Sequence, residues 1–408
     1  MRKAVIVSLD AFFDADFDSL TPGGGLDRML REGSFCRSVK TVFPALTYPA
    51  HVTLATGCDP DRSGVGQNQP YQPGVASASR AWYWERKYIQ VPTLFDAVSE
   101  AGGKSCSVLW PVNCRSKTVR WCFPEVHTLP GENQILKILR FGTPSFILKA
   151  ETHFSKLRDG ISEPGLSDYA AALTRYAIRK YRPDLTAVHL IDLDEMRHHH
   201  GVFSAEAKDA IRRNERRLKE IADAMKHTRG MEDALLIAVS DHGQADITKT
   251  VNLTEMLKEC GLTGKAGVQS NGFSAYFFIG NENGDEIPKI MAILREKQEM
   301  YGIRRFYTRE EMNAMHAVSG PAFACEAADG VVFSDALDAV KREKATHGFG
   351  PGHCAENCLF AVYGNGIRKG YELGSMPMRD VAPTVAGLMG LRLTEASGTD
   401  HSAEITDK

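Results

Sequence analysis

The sequence predicts an α/β protein built on a mostly parallel central sheet. Residues 4–9, 185–191 and 234–239 are continuous apolar runs, which are typical of strands buried on both faces. Helical periodicity at 166–181 and 204–228 alternates with them, as expected where helices join parallel strands. Each apolar run leads into aspartates. These carboxylates are therefore expected at the edge of the sheet where α/β proteins bind their ligands.

Composition limits the function classes that need to be considered. The 408 residues are 43% hydrophobic and 25% charged, with a formal net charge of −2. This balance gives no electrostatic reason to expect binding to nucleic-acid polymers or to a membrane surface. Nine cysteines are scattered without paired spacing, and the first apolar run is too short for a secretion signal. We therefore expect a cytoplasmic protein with reduced thiols.

The remaining elements are predicted in order along the chain. Further strands are expected at 37–42, 105–110 and 359–363, and further helices at 26–32, 52–55 and 91–101, with a last helix from 380. Residues 111–165 are irregular, and the sequence does not predict their role. From 253 onward the pattern changes to short strands at 274–279, 302–306 and 330–333 and short helices at 286–299 and 310–315. This change predicts a small α+β cap at 253–340, inserted into a main domain of 1–252 and 341–408.

The stretch from Phe43 to His51 leads from a predicted strand into a predicted helix and places Thr47 at the junction. Pro49 suits a first helical turn because its missing N–H has no helical partner there. The free N–H groups at a helix start favour an anion, so a phosphate beside Thr47 is physically reasonable. Asn68 lies in a turn-rich loop and offers an amide N–H that can stabilise charge developing on a phosphoryl group.

Aspartate and histidine residues near the strand ends favour a metal site. Asp10 follows the first predicted strand. Asp194 and His198 are four residues apart, so on a helical turn both side chains face the same way and can share one metal ion. Asp241 and His242 form an adjacent pair where another buried strand ends.

Two choices among the histidines stay open from the residues alone. His198, His199 and His200 are consecutive, and only one of them is expected to bind metal because their side chains diverge on a helix. Either His347 or His353 could supply a further ligand. The spacing of Asp194 favours His198, whereas the residues alone do not decide between His347 and His353.

Together these residues resemble the motifs of the alkaline phosphatase superfamily, and within it those of the type I phosphodiesterase and nucleotide pyrophosphatase branch. The matching pieces span nearly the whole chain in the family's order: Leu9 with Asp10, Phe43 and Pro44 with Thr47, Pro49 and His51, the loop 57–68 ending in Asn68, Asp194 with His198 and Gly201, 240–243, 347–349, and 380–384. The resemblance implies an alkaline-phosphatase-like three-layer sandwich that carries the small cap.

The resemblance also implies a cofactor of two zinc ions, for which other divalent metals could substitute. One ion would be held by Asp194, His198 and His347, and the other by Asp10, Thr47, Asp241 and His242. Imidazole and carboxylate groups suit zinc. Thr47 would attack phosphorus and form a phosphothreonine, while Asn68 and the Thr47 backbone N–H would bind phosphoryl oxygens.

The implied activity is hydrolysis of phosphodiester or pyrophosphate bonds in small, nucleotide-type molecules. Tyr48 fits the aromatic residue that packs against a nucleotide base, and the residues after Thr47 do not match the sulfatase pattern. His189, however, stands where nucleotide-cleaving members carry a tyrosine, five residues before Asp194. A phosphonate hydrolase is therefore the nearest alternative, followed by a phosphomonoesterase and, from another class, a non-catalytic zinc-binding protein. The sequence does not predict the oligomeric state.

Overall fold

A computed structural model describes residues 1–336 and 343–407. Its strands in chain order are β1 Ala4–Leu9, β2 Ser34–Lys40, β3 Ser105–Val108, β4 Val119–Phe123, β5 Leu185–Leu190, β6 Leu235–Val239, β7 Ala245–Asp246, β8 Lys249–Asn252, β9 Ala266–Ser270, β10 Ser274–Ile279, β11 Ile303–Tyr307, β12 Phe323–Ala327, β13 Val331–Ser334, β14 Ala345–Thr346, β15 Asn357–Tyr363, β16 Tyr371–Glu372 and β17 Met376–Pro377. Its helices are α1 Gly25–Glu32, α2 Thr47–Thr56, α3 Pro60–Ser63, α4 Leu94–Glu100, α5 Gln134–Phe141, α6 Pro144–Phe154, α7 Gly165–Tyr181, α8 Asp192–His200, α9 Ala205–Lys226, α10 Leu253–Glu259, α11 Ile287–Glu296, α12 Arg309–Ala314, α13 Val381–Met389 and α14 Ser402–Ile405.

The central sheet has nine strands in the order β16-β2-β15-β6-β1-β5-β3-β4, with β17 also pairing to β2. Strand β15 runs antiparallel to both of its neighbours, and the other pairs in this sheet are parallel. The predicted α/β class with a mostly parallel sheet is therefore confirmed. Strands β5, β1 and β6 lie side by side, so their carboxyl ends share one edge.

Helices cover both faces of this sheet. On β1, Val5, Val7 and Leu9 belong to a buried cluster with residues of α1, α7 and α9. Ala4 and Ile6, which point to the opposite face, pack with residues of α2, α4 and α13. The continuous apolar run of β1 is thus explained by burial on both sides, and the predicted three-layer arrangement is confirmed.

A second, four-stranded antiparallel sheet lies within the segment predicted as a cap, in the order β11-β12-β10-β9. Its core includes Phe277 of β10 stacked on Phe323 of β12, with ring centroids 4.6 Å apart. Strands β9 and β12 were not predicted. The cap limits of 253 and 340 stay a prediction, because residues 337–342 lie outside the described part of the chain.

Several predicted boundaries differ from those observed. The short helix predicted at 52–55 is the second half of α2, which begins at Thr47 itself. Residues 111–165, predicted as irregular, contain β4, α5 and α6. Among the described helices, none is both long enough and apolar enough to cross a membrane.

Candidate metal centre and nucleophile

The predicted ligands meet at the carboxyl edge of the three neighbouring parallel strands. Asp10 directly follows β1, and Asp194 lies in the first turn of α8, just after β5. Asp241 and His242 lie just after β6, which ends at Val239. The edge location expected from the strand pattern is therefore observed for all four residues.

The ligand atoms form two tight groups that share one histidine. In one group, atoms of Asp194, His242 and His347 lie within 4.8 Å of one another, and the same limit holds for Asp10, Asp241 and His242 in the other. His198 joins the first group through a 3.3 Å contact between its Nε2 and Asp194 Oδ2. Both groups are of the carboxylate and imidazole type that binds divalent transition metals.

Backbone carbonyl groups set the orientation of the three histidines in these groups. The Nδ1–H of His198 donates to Ala345 O at 2.9 Å, and that of His347 donates to Ala45 O at 3.2 Å. The Nδ1 of His242 lies 3.2 Å from its neighbour's carbonyl, Gly243 O. Since a carbonyl only accepts, each ring presents Nε2 to the centre, as metal-binding histidines do.

The other candidate histidines lie elsewhere. His199 Nε2 is 2.7 Å from Glu195 Oε1, one turn earlier on α8, and His200 is half exposed beside Glu206. His353 stacks on the Phe349 ring, with centroids 4.2 Å apart. The structure brings His198 and His347 to the centre and leaves His199, His200 and His353 outside it.

Buried carboxylate oxygens without partners give a test of whether metal fits here. Asp10 is 2% exposed and Asp241 is fully buried, yet Asp10 Oδ1 and Asp241 Oδ2 accept no hydrogen bond from the described residues. Burial and nearby carboxylates raise the pKa of Asp10 to about 6 and raise that of Asp241. Unpaired buried anions are costly, and a divalent cation between them would remove that cost.

In the group of Asp194, His242 and His347, the carboxylate has partners for both of its oxygens. Asp194 Oδ1 accepts from Gln244 Nε2, while Oδ2 faces His198. Burial opposes ionisation of Asp194, but His198 and His347 hold its pKa below the usual range. Burial lowers the pKa of His347 to about 4, which keeps this imidazole neutral and able to bind metal.

Thr47 stands at the start of α2 within this centre. Its Oγ1 lies 3.1 Å from Nε2 of His242, the residue that both groups share. Asn68 Oδ1 accepts from the Tyr48 backbone N–H at 2.9 Å, so its Nδ2 remains as the donor end of the amide. Asn68, His198 and His347 line a cleft of about 260 Å³.

The comparison with known families agrees with this geometry. A family model described as "Type I phosphodiesterase / nucleotide pyrophosphatase" matches residues 4–349. The chain belongs to this family. The match covers the whole stretch from β1 to His347, so it includes every proposed ligand of both metal groups.

Curated relatives of this phosphodiesterase-family chain are distant in sequence. Human ectonucleotide pyrophosphatase/phosphodiesterase family member 1 is 22% identical over 62% of the chain and 25% of its own length. Family member 7 from Mus musculus is 25% identical over 61% of the chain and 51% of its own length. The alignments thus span between a quarter and about half of these relatives.

Solved structures show the same fold. Murine ectonucleotide pyrophosphatase/phosphodiesterase 5 superposes with a TM-score of 0.73 at 17% identity, covering 98% of both chains. The human counterpart gives a TM-score of 0.74 at 18% identity over the full length of both chains. The alkaline-phosphatase-like three-layer architecture expected from the sequence is therefore confirmed for this family member.

The structure does not bring the Tyr48 ring to the cleft. Tyr48 is 1% exposed, and its ring packs edge-on against Trp82 at 5.2 Å. Trp82 is the aromatic residue that lines the cleft. The helical geometry explains the difference, because the residue after Thr47 points about 100° away from it around the α2 axis.

Sequence reasoning assigned no structural role to four polar residues that complete this family member's centre. Gln244 hydrogen-bonds Asp194, and Asn271 lines the cleft from the turn between β9 and β10. His189 and Glu125 form hydrogen bonds that lead to Asp10. Gln244 follows the Asp241–His242 pair by two residues and was therefore within reach of a motif search, whereas Asn271 and Glu125 come from segments without any motif.

Proposed function

We propose that this protein is a metal-dependent hydrolase that cleaves phosphodiester or pyrophosphate bonds in small, nucleotide-type substrates through a phosphothreonine at Thr47. The observation that carries the proposal is the 3.1 Å contact of Thr47 Oγ1 with His242 Nε2, where the two ligand groups meet. The hydroxyl thus stands at a proposed metal position, where a bound ion would activate it without a separate general base.

The proposed cofactor is a pair of zinc ions, for which other divalent ions could substitute. Asp194, His198 and His347 would hold one ion, and Asp10, Thr47, Asp241 and His242 would hold the other. The unpaired oxygens of Asp10 and Asp241 support the second position. When bound, the ions would favour the deprotonated hydroxyl and neutralise charge on the phosphoryl and leaving oxygens.

The protein's own side chains supply the nucleophile and the donors to the phosphoryl group. Thr47 Oγ1 forms a bond to phosphorus while the bond from phosphorus to the leaving oxygen breaks, and that oxygen takes a proton. Water next cleaves the phosphothreonine and restores the hydroxyl. Asn68 can donate from Nδ2 to a phosphoryl oxygen because its Oδ1 is held by the Tyr48 N–H. The N-terminus of α2 favours the same anion.

The comparisons support this choice of chemistry. The relatives are named as nucleotide pyrophosphatases and phosphodiesterases. Murine ectonucleotide pyrophosphatase/phosphodiesterase 5 has also been solved as an inactive threonine-to-alanine variant in complex with AMP. A threonine matters for that protein's activity, which favours the same role for Thr47 here.

The test is steady-state cleavage, with zinc supplied, of bis-p-nitrophenyl phosphate beside p-nitrophenyl phosphate. We expect the diester to turn over faster. The Thr47→Ala variant should lose at least about 1,000-fold in kcat, because removal of a nucleophile has effects of this order or larger. Thr47→Ser keeps a hydroxyl at the same place and is the matched control, with expected partial activity and unchanged zinc content.

The other outcomes identify the alternatives. A preference for the monoester would replace the proposal with a phosphomonoesterase. Turnover of neither ester, together with cleavage of a phosphonate monoester, would indicate a phosphonate hydrolase. Zinc binding without any turnover would indicate a non-catalytic zinc-binding protein.

We also infer a cytoplasmic location from the thiols. All nine cysteines are free, and only Cys354 is exposed. Reduced, buried cysteines are typical of proteins in a reducing compartment. Fractionation of the source cells tests this inference, and recovery of the protein outside the cytoplasm would overturn it.

A further inference from the structure

A hydrogen-bonded histidine lies directly behind Asp10. His189 is at the end of β5, opposite Ser8 of β1, and is 1% exposed. Its Nε2 lies 2.8 Å from Asp10 Oδ2, and its Nδ1 lies 3.0 Å from Glu125 Oε2. Because carboxylate oxygens only accept, both ring N–H groups donate, and the imidazole joins the two carboxylates.

Glu125 also lies near the nucleophile helix. It follows β4, and burial together with the nearby Glu125 carboxylate raises the pKa of the phenol of Tyr48, the residue next to Thr47. Glu125, His189 and Asp10 form a hydrogen-bonded path that ends at the ligand after β1. This path accounts for a histidine at position 189.

The path determines which oxygen of Asp10 is available. His189 occupies Oδ2, so Oδ1 is the oxygen without a partner, and it lies 3.5 Å from His242 Nε2. We propose that His189, held by Glu125, is a positioning residue that fixes the Asp10 carboxylate with Oδ1 directed at the metal. This inference rests on the two-metal site proposed above.

A third metal ion is the competing explanation for the same residues. His51, His189 and Asp241 have ligand atoms within 4.8 Å of one another. However, His51 Nδ1 donates to Thr47 O at 2.8 Å, and its Nε2 lies 2.8 Å from Ser8 Oγ. Both nitrogens of His189 are also in use. A metal ion at this position would have to break these hydrogen bonds, so two ions are expected rather than three.

The experiment titrates zinc into the full-length, chelator-treated protein in competition with a chromogenic chelator. Wild type should bind two equivalents. His189→Leu should weaken one of them by about 10- to 100-fold, the usual effect of losing the outer partner of a metal ligand, and leave the other unchanged. His189→Gln can still donate to Asp10 Oδ2 and should recover part of the lost affinity.

His401→Leu is the matched control. His401 also lies between two carboxylates, with Asp380 Oδ2 at 3.1 Å and Glu404 Oε1 at 2.7 Å, but none of these residues belongs to the ligand groups. Its loss should leave both zinc affinities unchanged. Should His189→Leu fail to fold, Glu125→Gln serves in its place, and it should give a smaller weakening of the same equivalent.

Three results of the titration would contradict the inference, and a fourth would separate it from the proposed function. Three equivalents in wild type that fall to two in His189→Leu would show a third metal site. Unchanged affinity in folded His189→Leu would remove the positioning role, and wild type that binds no zinc would overturn the inference entirely. Two zinc sites with the expected weakening but no diester turnover would retain the inference and reject the proposed function.

Discussion

Two regions of this protein bury aspartates, and they balance the charge in different ways. Where α8 packs on α9, Asp192 is fully buried between two arginines. Arg213 contacts both of its oxygens at 2.7 Å, and Arg217 Nη1 contacts Oδ2 at 2.6 Å. Burial opposes ionisation of Asp192, but these arginines hold its pKa below the usual range.

The strand edge has the opposite arrangement. No lysine or arginine of the described residues hydrogen-bonds Asp10 or Asp241, and each keeps one oxygen without a partner. Their pKa values are raised rather than lowered. The chain supplies two arginines for Asp192, whereas at the strand edge Asp10 shares the single imidazolium of His189 with Glu125, and the rest of the counter-charge is left to a bound cation. The difference separates a structural buried carboxylate from a ligand.

The largest expected effect that tests this difference is that of Asp241→Asn. Asp241 Oδ1 accepts from the Ala11 N–H, so the amide oxygen of the variant would take that place. The amide NH₂ would then replace Oδ2 and point its hydrogens at the metal position. We expect zinc content to fall from two equivalents to one and diester turnover to fall by more than about 100-fold, measured by metal analysis and steady-state kinetics.

Asp192→Asn is the matched control for that prediction, since it makes the same substitution at a buried aspartate. It should keep both zinc equivalents. An Asp241→Asn enzyme with two zinc ions and undiminished turnover would show that Asp241 is a structural carboxylate like Asp192, and the contrast between the two regions would no longer stand.

The next effect in size is on folding stability. Asp192→Asn should lower the free energy of unfolding by about 3 kcal/mol, the low end of what breaking a buried ion pair costs, because Arg217 keeps its contact with Asp168. Urea unfolding of the zinc-loaded variant measures it as a lower midpoint. Glu195→Gln, a partly exposed change on the same helix, should have little effect, and an equal loss there would reject the ion-pair explanation.

The positions of the site residues in the fold explain which of them could be predicted from sequence. Asp10, Asp194 and Asp241 were predictable because apolar strands place them at one edge, and Thr47 because it stands at a strand-to-helix junction. Glu125 was not, because its place depends on β4 pairing beside β3, and β4 lies in a segment without apolar periodicity.

Side-chain direction was the other limit of sequence reasoning. Tyr48 was predicted to face a substrate, but its ring packs under Trp82, a residue from a distant loop. His189 was recognised only as a departure from the family pattern. Its contacts with Asp10 and Glu125 require two neighbouring strands in register, and no spacing along the chain specifies that register.

The smallest expected effect is a pH dependence in the protein without metal. The folded-state pKa of Asp10 is about 6, above the unfolded value of about 3.9. A raised carboxyl pKa contributes stability that is fully present below the unfolded value and is lost as pH rises through about 6. Asp10→Asn removes this titration. Without metal, its stability relative to wild type should therefore improve between pH 5 and pH 8, by on the order of 1 kcal/mol.

Urea unfolding of both chelator-treated proteins at pH 5 and pH 8 measures this difference, and titrations common to the two proteins cancel. Zinc at pH 8 should make wild type more stable than Asp10→Asn, because wild type gains the full binding energy of the second ion and the variant does not. The opposite result would be a free energy of unfolding that rises from pH 5 to pH 8 in wild type relative to Asp10→Asn, without metal. Ionised Asp10 would then be stabilised by the chain alone. The strand edge would then balance its charge as the Asp192 region does, and a metal ion would not be needed to explain it.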